Sequence, residues 1–473
     1  MATKGVDYHF YIGNLPADIF VSATDAGASN PKLNLTVYGD NPGWTKGNVQ
    51  IGIAGVGIHG NFAWTTETTP EISKSVSINP VTGNATGADL INMMKTPSYT
   101  DGGINVSFGF YDAGPGFGDL TNQDQVYAYF TLGQNNWMGQ LATAYPQVNT
   151  APFSSFVLPG AHDSGTFDQT TVKMLLLGGA ATIAFLKLLG PGGILGAVVA
   201  GLTAAQAETA ITNLAVTQKD NITTMLNLGC RYFDFRPGRV PKALQAVAGD
   251  IYHIHTVIPG YPYKSFLTDV LTWLEVNSSE VVVVNANTQG FDNSLAPSDE
   301  TLQKILSDAI AATGSTVATG GPSDLGTAYG DLVSANKRLI FLNQYFGWHA
   351  ATKYDSYNEK DYFTTDPATV IVALNAMNKT GQSGNDYTVL QLQGTATGTG
   401  KKVVVSAALS QSLASSPLMS TKSRFDNATY PWTLSNVPSN LASNQLVVLL
   451  NDFVDNALAA TASQLTLVRI GPG

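Results

Sequence analysis

The run "EVVVVNANT", residues 280–288, sets the strictest condition on the fold. Four consecutive valines leave no polar face, so a strand built from them must be covered on both sides. Covering layers on both faces of a sheet are normally helices, and that arrangement goes with parallel strands joined by crossovers. The chain after about residue 136 follows this pattern. "SSFVLPGAH", "CRYFDFRPG", "IYHIHTV", "KRLIFLNQY", "YTVLQLQG" and "QLVVLLNDFVD" read as strands, with helices expected near 204–228, 262–277, 298–313 and 366–379. Strand–helix alternation on this scale predicts an α/β fold over 136–473, a distorted TIM-type (β/α) barrel whose chemistry sits at the strand C-terminal ends.

Residues 1–135 differ. "DYHFYIGN", "KLNLTVYGD", "NVQIGIAGVGI", "INVSFGFYDAG" and "QVYAYFTLG" are short, alternating and rich in β-branched and aromatic residues, with Gly, Pro, Asn and Asp between them. They predict an all-β, sandwich-like accessory domain ahead of the barrel. A third texture lies at 173–204, almost wholly apolar and broken by Lys187 and the Gly-Pro-Gly-Gly at 190–193. Neither half reaches the ~20 residues needed to span a bilayer. The segment reads either as a buried helical hairpin or as one that dips into a membrane interface beside the site.

Charge narrows the partners. A net charge of −10 excludes a nucleic-acid footprint and leaves little attraction to anionic lipid. With only 12% charged residues, the surface is covered largely by Asn, Thr, Ser, Gly and Tyr. The single Cys230 rules out an intrachain disulfide. The opening "MATKGVDYHFYIG" has no basic region followed by an apolar one, so no signal peptide is visible. Secretion, peripheral membrane attachment and a cytoplasmic location all stay open.

The candidate chemistry lies at the strand ends. His162 and Asp163 end the first barrel strand, Asp234 and Arg236 the second, His253 and His255 the third, and Asp452 the last. Two histidines supply a general base and a general acid near neutral pH. An arginine clamps a phosphate oxyanion, and flanking carboxylates orient the imidazoles. This set suits metal-free cleavage of a phosphodiester by an internal hydroxyl.

At these residues the chain resembles the phosphatidylinositol-specific phospholipase C family, nearest to its bacterial, metal-independent branch. The likeness rests on "LPGAHDSGT", "RYFDFRPGR", "IHT" and "LLNDF" in that order, with "NNWMGQL" as lead-in, and covers roughly 136–455. It implies a membrane phospholipid substrate, with diacylglycerol and inositol 1,2-cyclic phosphate as products. His162 would be the base, oriented by Asp452. Arg236 would hold the phosphate, supported by Asp234. His255 would be the acid, with Asp163 as its partner. The spacing to the following "SFL" helix start favours His255 over His253. No cofactor is expected, and calcium independence follows from Arg236 standing where a calcium ion would sit. For the headgroup, "YDSYNE" supplies Asp355 and Tyr357, while Asn287 and Gln344 stand where the bacterial enzymes carry a Lys and an Arg. The rival reading is a lipid- or glycan-binding protein with a weakly active or inactive barrel. A metal-dependent glycerophosphodiesterase would need a Glu-rich cluster at the strand ends, and the sequence shows none.

Overall fold

The computed structural model describes residues 3–471 except 14, 16–17, 30–32, 39–42, 54–57, 67, 69–70, 88–89, 102, 117–119, 178–202, 246–250, 343–353, 357–362, 381–384 and 396–413. Among the described residues up to 132 the regular structure is strand, apart from one short 3-10 turn. One sheet holds β1 (Thr3–Gly13), β4 (Gly43–Gly52), β8 (Ile104–Tyr111) and β9 (Asp124–Leu132), in the order β4-β1-β9-β8. The other holds β2 (Asp18–Thr24), β3 (Leu33–Tyr38), β5 (Gly60–Thr66), β6 (Ser73–Ile78) and β7 (Ala85–Thr86), in the order β3-β2-β5-β6-β7. Every described strand ladder here is antiparallel except β1 with β9. The alternation of these strands explains the packing. Phe10, Ile12 and Phe130 of the first sheet share one core with Phe62, Trp64 and Ile78 of the second. Tyr111, Tyr127 and Tyr129 belong instead to a core shared with the following α/β region.

That region is built on eight parallel strands. They are β10 (Val157–Ala161), β11 (Tyr232–Phe235), β15 (Val282–Ala286), β16 (Ala318–Gly320), β17 (Lys337–Phe341), β18 (Tyr354–Asp355), β19 (Tyr387–Gln391) and β20 (Leu446–Asn451). Their order is β16-β17-β15-β11-β10-β20-β19-β18. The expected barrel is closed. Among the described residues the sheet has two edges, β16 and β18, with no ladder between them. The valines behave as the sequence requires, since Val281 and Val283 enter one core and Val282 and Val284 another.

Helices fall at 204–215 and 222–227, at 263–276, at 299–313 and at 367–380. The expected single helix near 204–228 is thus two, separated by residues 216–221, and Asn221 caps the second by accepting from Thr224 N–H. The long helix Pro417–Asn440 was not anticipated, because Pro431 and Pro438 lie inside it and it has no amphipathic stripe. It forms because it is buried on most sides, and Ser416 caps its start with Pro417 in the first turn.

One expectation is corrected. The "YHIHT" strand is not the third barrel strand. β13 (Ile251–His255) lies in a separate antiparallel sheet with β12 (Pro237–Arg239) and β14 (Ile258–Pro262). Pro237 and Gly238 directly follow Arg236 and lead the chain out of the parallel sheet into this ribbon. Its ladder still runs Pro237 opposite His253, which brings the histidines back over the end of β11.

Candidate active site

In parallel strands the C-terminal ends lie together, so the residues that follow β10, β11 and β20 meet. His162 comes directly after β10 and Asp452 directly after β20. The two strands pair up to their last residues, Ala161 opposite Asn451. His162 Nδ1 lies 2.7 Å from Asp452 Oδ1. That contact fixes Nδ1–H toward the carboxylate and turns Nε2 outward. Arg236 Nη2 stands 3.2 Å from Nε2. The guanidinium also reaches Asp163 Oδ1 through Nε and Asp234 Oδ2 through Nη2, each at 2.9 Å.

Asp163 is the hub. It is fully buried, and its Oδ2 lies 3.4 Å from His162 Nε2 and 4.0 Å from His255 Nε2. Its Oδ1 lies 3.3 Å from His253 Nε2. Its backbone has φ +45°, an unusual value for a non-glycine residue. The strain is held by Asp163 N–H donating to Asp234 Oδ2 and by Ser164 N–H donating to the Asp234 carbonyl. Gly165 is required two residues on, since a Cβ there would sit 2.3 Å from His253 Cβ.

The two ribbon histidines differ. His253 is fully buried, and its Nδ1 accepts from Arg236 N–H at 3.2 Å, which leaves the proton on Nε2 facing Asp163. His255 has a quarter of its side chain exposed and lines the cavity. Burial pulls the His255 imidazole down, Asp163 opposes this, and Arg236 adds to it, so it titrates below its ordinary 6.5. His162 moves the other way. Burial would lower it, but Asp163 and then Asp452 outweigh burial and push it up to about 9. Burial would raise Asp163, yet Arg236 and the histidines hold it well below the carboxylate range. Asp234 is also lowered, by Arg236 against burial.

A cavity of about 350 Å³ opens onto this cluster. It is walled by apolar groups such as Leu214, Val389, Leu418 and Leu450, with Asn285, Gln289, Tyr354 and Gln391 as polar points. Arg236 is the only Arg or Lys among its described lining residues. Gln289 Nε2 donates to the Tyr354 hydroxyl at 2.6 Å, which orders that wall.

The structure therefore brings His162, Asp163, Asp234, Arg236, His255 and Asp452 together. Asn287 is near, and its amide is engaged within the cluster: Nδ2 donates to Asp234 Oδ1 at 2.7 Å and Oδ1 accepts from Gln289 N–H at 3.0 Å. Asp355 is placed by its backbone in β18. Tyr357 and Gln344 lie outside the described residues, as does 178–202 of the apolar segment. Asp163, expected as the partner of His255 alone, contacts Arg236 and both other histidines more closely. Asn285, Gln289 and Tyr354 were missed; the run "NANTQG" at a strand end was the signal for the first two, and Tyr354 is the first residue of "YDSYNE".

No protein-family model matches the chain. A curated relative, PI-PLC X domain-containing protein 1 of Mus musculus, is 26% identical over 151 residues, which is 32% of this chain. The match spans 38% of that relative's length. Among solved structures, a mutant of the phosphatidylinositol-specific phospholipase C from Staphylococcus aureus aligns with TM-score 0.41 and 16% identity, covering 70% of this chain and 96% of that one. The phosphatidylinositol-specific phospholipase C from Listeria monocytogenes gives TM-score 0.40 and 12% identity, over 71% and 99%. The four ordered motifs and the curated relative agree: the chain is similar to the phosphatidylinositol-specific phospholipase C family.

Proposed function

We propose, from that family likeness, that the chain cleaves phosphatidylinositol-type lipids at the phosphodiester, releasing diacylglycerol and inositol 1,2-cyclic phosphate. The observation that carries this reading is the His162–Asp452 contact of 2.7 Å with Arg236 against the free edge of the same imidazole at 3.2 Å. His162 Nε2 takes the proton of the inositol 2-hydroxyl. The freed oxygen attacks phosphorus while the bond from phosphorus to the glycerol oxygen breaks. His255 gives a proton to that leaving oxygen. Arg236 steadies the non-bridging oxygens, and Asp234 with Asn287 behind it fixes the guanidinium plane. The same groups in reversed roles open the cyclic phosphate with water.

The free site holds its proton on His162, with His255 neutral, whereas the reaction needs the opposite. A bound phosphodiester anion favours an imidazolium beside the leaving group. Moving one proton from His162 to His255 then makes the reactive form with no net exchange.

The chemistry needs no metal. His162, Asp163 and Asp234 lie close enough to gather around a cation, but the guanidinium already spans Asp163 and Asp234. A calcium ion there would face that positive charge at short range. Membrane contact rests on the apolar stretch 173–204, because apolar burial supplies affinity that a net charge of −10 does not. Among the described residues no helix is long and apolar enough to cross a membrane. The proposed boundary between the β region and the catalytic region lies near residue 135.

The test is cleavage across a panel of phospholipid headgroups in excess chelator, with the water-soluble product identified by phosphorus NMR. A cyclic inositol phosphate is expected. Binding without cleavage of any headgroup refutes the enzyme and leaves the lipid-binding reading. Activity that returns only with added calcium refutes the metal-free site.

A further inference from the structure

Past the last rung of the ladder, Ala161 opposite Asn451, the sheet itself keeps His162 beside Asp452 by one further bond, His162 N–H donating to the Asn451 carbonyl at 3.1 Å. The segment 217–220, "TQKD", does so from outside. Thr217 Oγ1 donates to the carbonyl of His162 at 3.0 Å, with that of Asp163 at 3.2 Å. Gln218 Nε2 donates to the carbonyls of His162 at 2.9 Å and Asn451 at 3.0 Å, so one amide ties the ends of β10 and β20 together. Gln218 Oε1 accepts from Val454 N–H at 2.9 Å, and Phe453 N–H donates to the Thr217 carbonyl at 2.6 Å.

The next two residues face the other way. Lys219 Nζ donates to the carbonyl of Thr96 at 2.7 Å and lies 3.3 Å from Ser98 Oγ. Asp220 accepts from Ser98 N–H and from its hydroxyl, both at 2.7 Å. Lys219 and Asp220 pair at 3.2 Å and are almost fully buried. Thr96 and Ser98 lie between the strands of the β region, so four consecutive residues join that region to the catalytic turn. A second, separate link runs parallel to it. Tyr129 of β9 donates to Asp426 Oδ2 at 2.9 Å, Asn451 Nδ2 donates to Asp426 Oδ1 at 2.8 Å, and Asp452 N–H donates to Asn451 Oδ1 at 2.9 Å.

We propose that residues 217–220 are a positioning strap through which the N-terminal β region holds His162 against Asp452. The β region is then a working part of the catalytic unit and not a tethered accessory. The inference rests on His162 as the base. Thr217 and Gln218 act through backbone carbonyls, and Lys219, Asp220 and Ser98 act through them. A buried polar network transmits position only while every member is satisfied, because each lost partner leaves a desolvated group that must move to find another.

The test uses the full chain with carbon-13-labelled histidine, as Ser98→Ala and Asp220→Asn. The His162 titration is followed by NMR, and cleavage of phosphatidylinositol in mixed micelles is measured alongside. Both variants are expected to bring the His162 midpoint down from about 9 toward its ordinary value. Turnover should fall roughly tenfold or more with KM changed less than about twofold, since misplaced groups cost rate more than binding. Ser98→Thr keeps the hydroxyl and should keep the wild-type midpoint. An unchanged midpoint and turnover in the folded variants overturns the proposal. So does loss of fold in both, which would make the strap scaffolding alone. If the wild type cleaves no inositol lipid while the midpoint still moves in both variants, the strap stands and the cleavage reading falls.

Discussion

Replacing Asp452 by Asn keeps the shape of the side chain and removes one of the two charges that hold a proton on His162. The imidazole is 15% exposed and titrates at about 9, against 6.5 for a free histidine. At ~1.4 kcal/mol per pH unit, this difference is worth about 3 kcal/mol of folding stability. The sign follows from a folded-state value above the unfolded one. The contribution is complete below pH 6.5, declines as pH rises, and is gone above about 9. Asp163 exerts the larger Coulombic pull and stays in the variant, while Asp452 acts through its charge and its hydrogen bond, so Asp452→Asn should lower the midpoint by roughly one to two pH units. The variant should therefore melt well below wild type at pH 6, and the two melting curves should draw together by pH 9.5. A carbon-13 histidine titration reads the same quantity directly. Equal destabilisation at both pH values would refute the reasoning. A wild-type midpoint at or below 6.5 would refute it as well. It would mean that the guanidinium 3.2 Å from Nε2, which has only donors to offer, outweighs both carboxylates.

The histidine roles separate by substitution. His162→Ala and His255→Ala should each lower turnover by ~100-fold or more, while His253→Ala should act mainly through the placing of Asp163 and Arg236 and cost less; an essential His253 beside a dispensable His255 would reverse the assignment. The bell-shaped pH profile should carry its acid limb from His255 and its alkaline limb from His162, so labelling either ring and finding it on the other limb contradicts the proton shift. Away from the site, Arg231 and Glu280 are fully buried and meet at 2.7 Å, and Glu280 also accepts from Gly139 N–H. Glu280→Gln leaves a buried guanidinium uncompensated and should cost about 3–5 kcal/mol in denaturant titration; a loss under about 1 kcal/mol would show that the carbonyls around Arg231 suffice. In the apolar stretch, Leu188→Ser with Leu189→Ser should weaken vesicle binding and spare cleavage of soluble cyclic phosphate, and equal loss of both activities would mark the segment as core.

The local sequence determined the elements whose side chains leave no choice of surroundings. Four valines in a row admit only a doubly covered strand, and Val281 to Val284 alternate between two cores as that requires. The tight turn "AHDSG" after an apolar strand likewise determined where a buried His and Asp would stand, because Gly165 is demanded by the ring of His253 and the motif carries it. Tertiary structure decided what depends on partners distant in the chain. The ribbon of β12, β13 and β14 has strand propensity indistinguishable from that of a barrel strand, and only its antiparallel neighbours reveal it. The helix Pro417–Asn440 carries two internal prolines and no amphipathic face, so burial rather than propensity makes it helical. The same holds at the site. Which carboxylate serves which histidine is set by separations of 2.7 to 4.0 Å between residues up to 290 positions apart, and a strand pattern has no term for that distance. "TQKD" at 217–220 has no motif and no periodicity. Its role exists only because the carbonyls of His162 and Asn451 and the hydroxyl of Ser98 converge on it after folding.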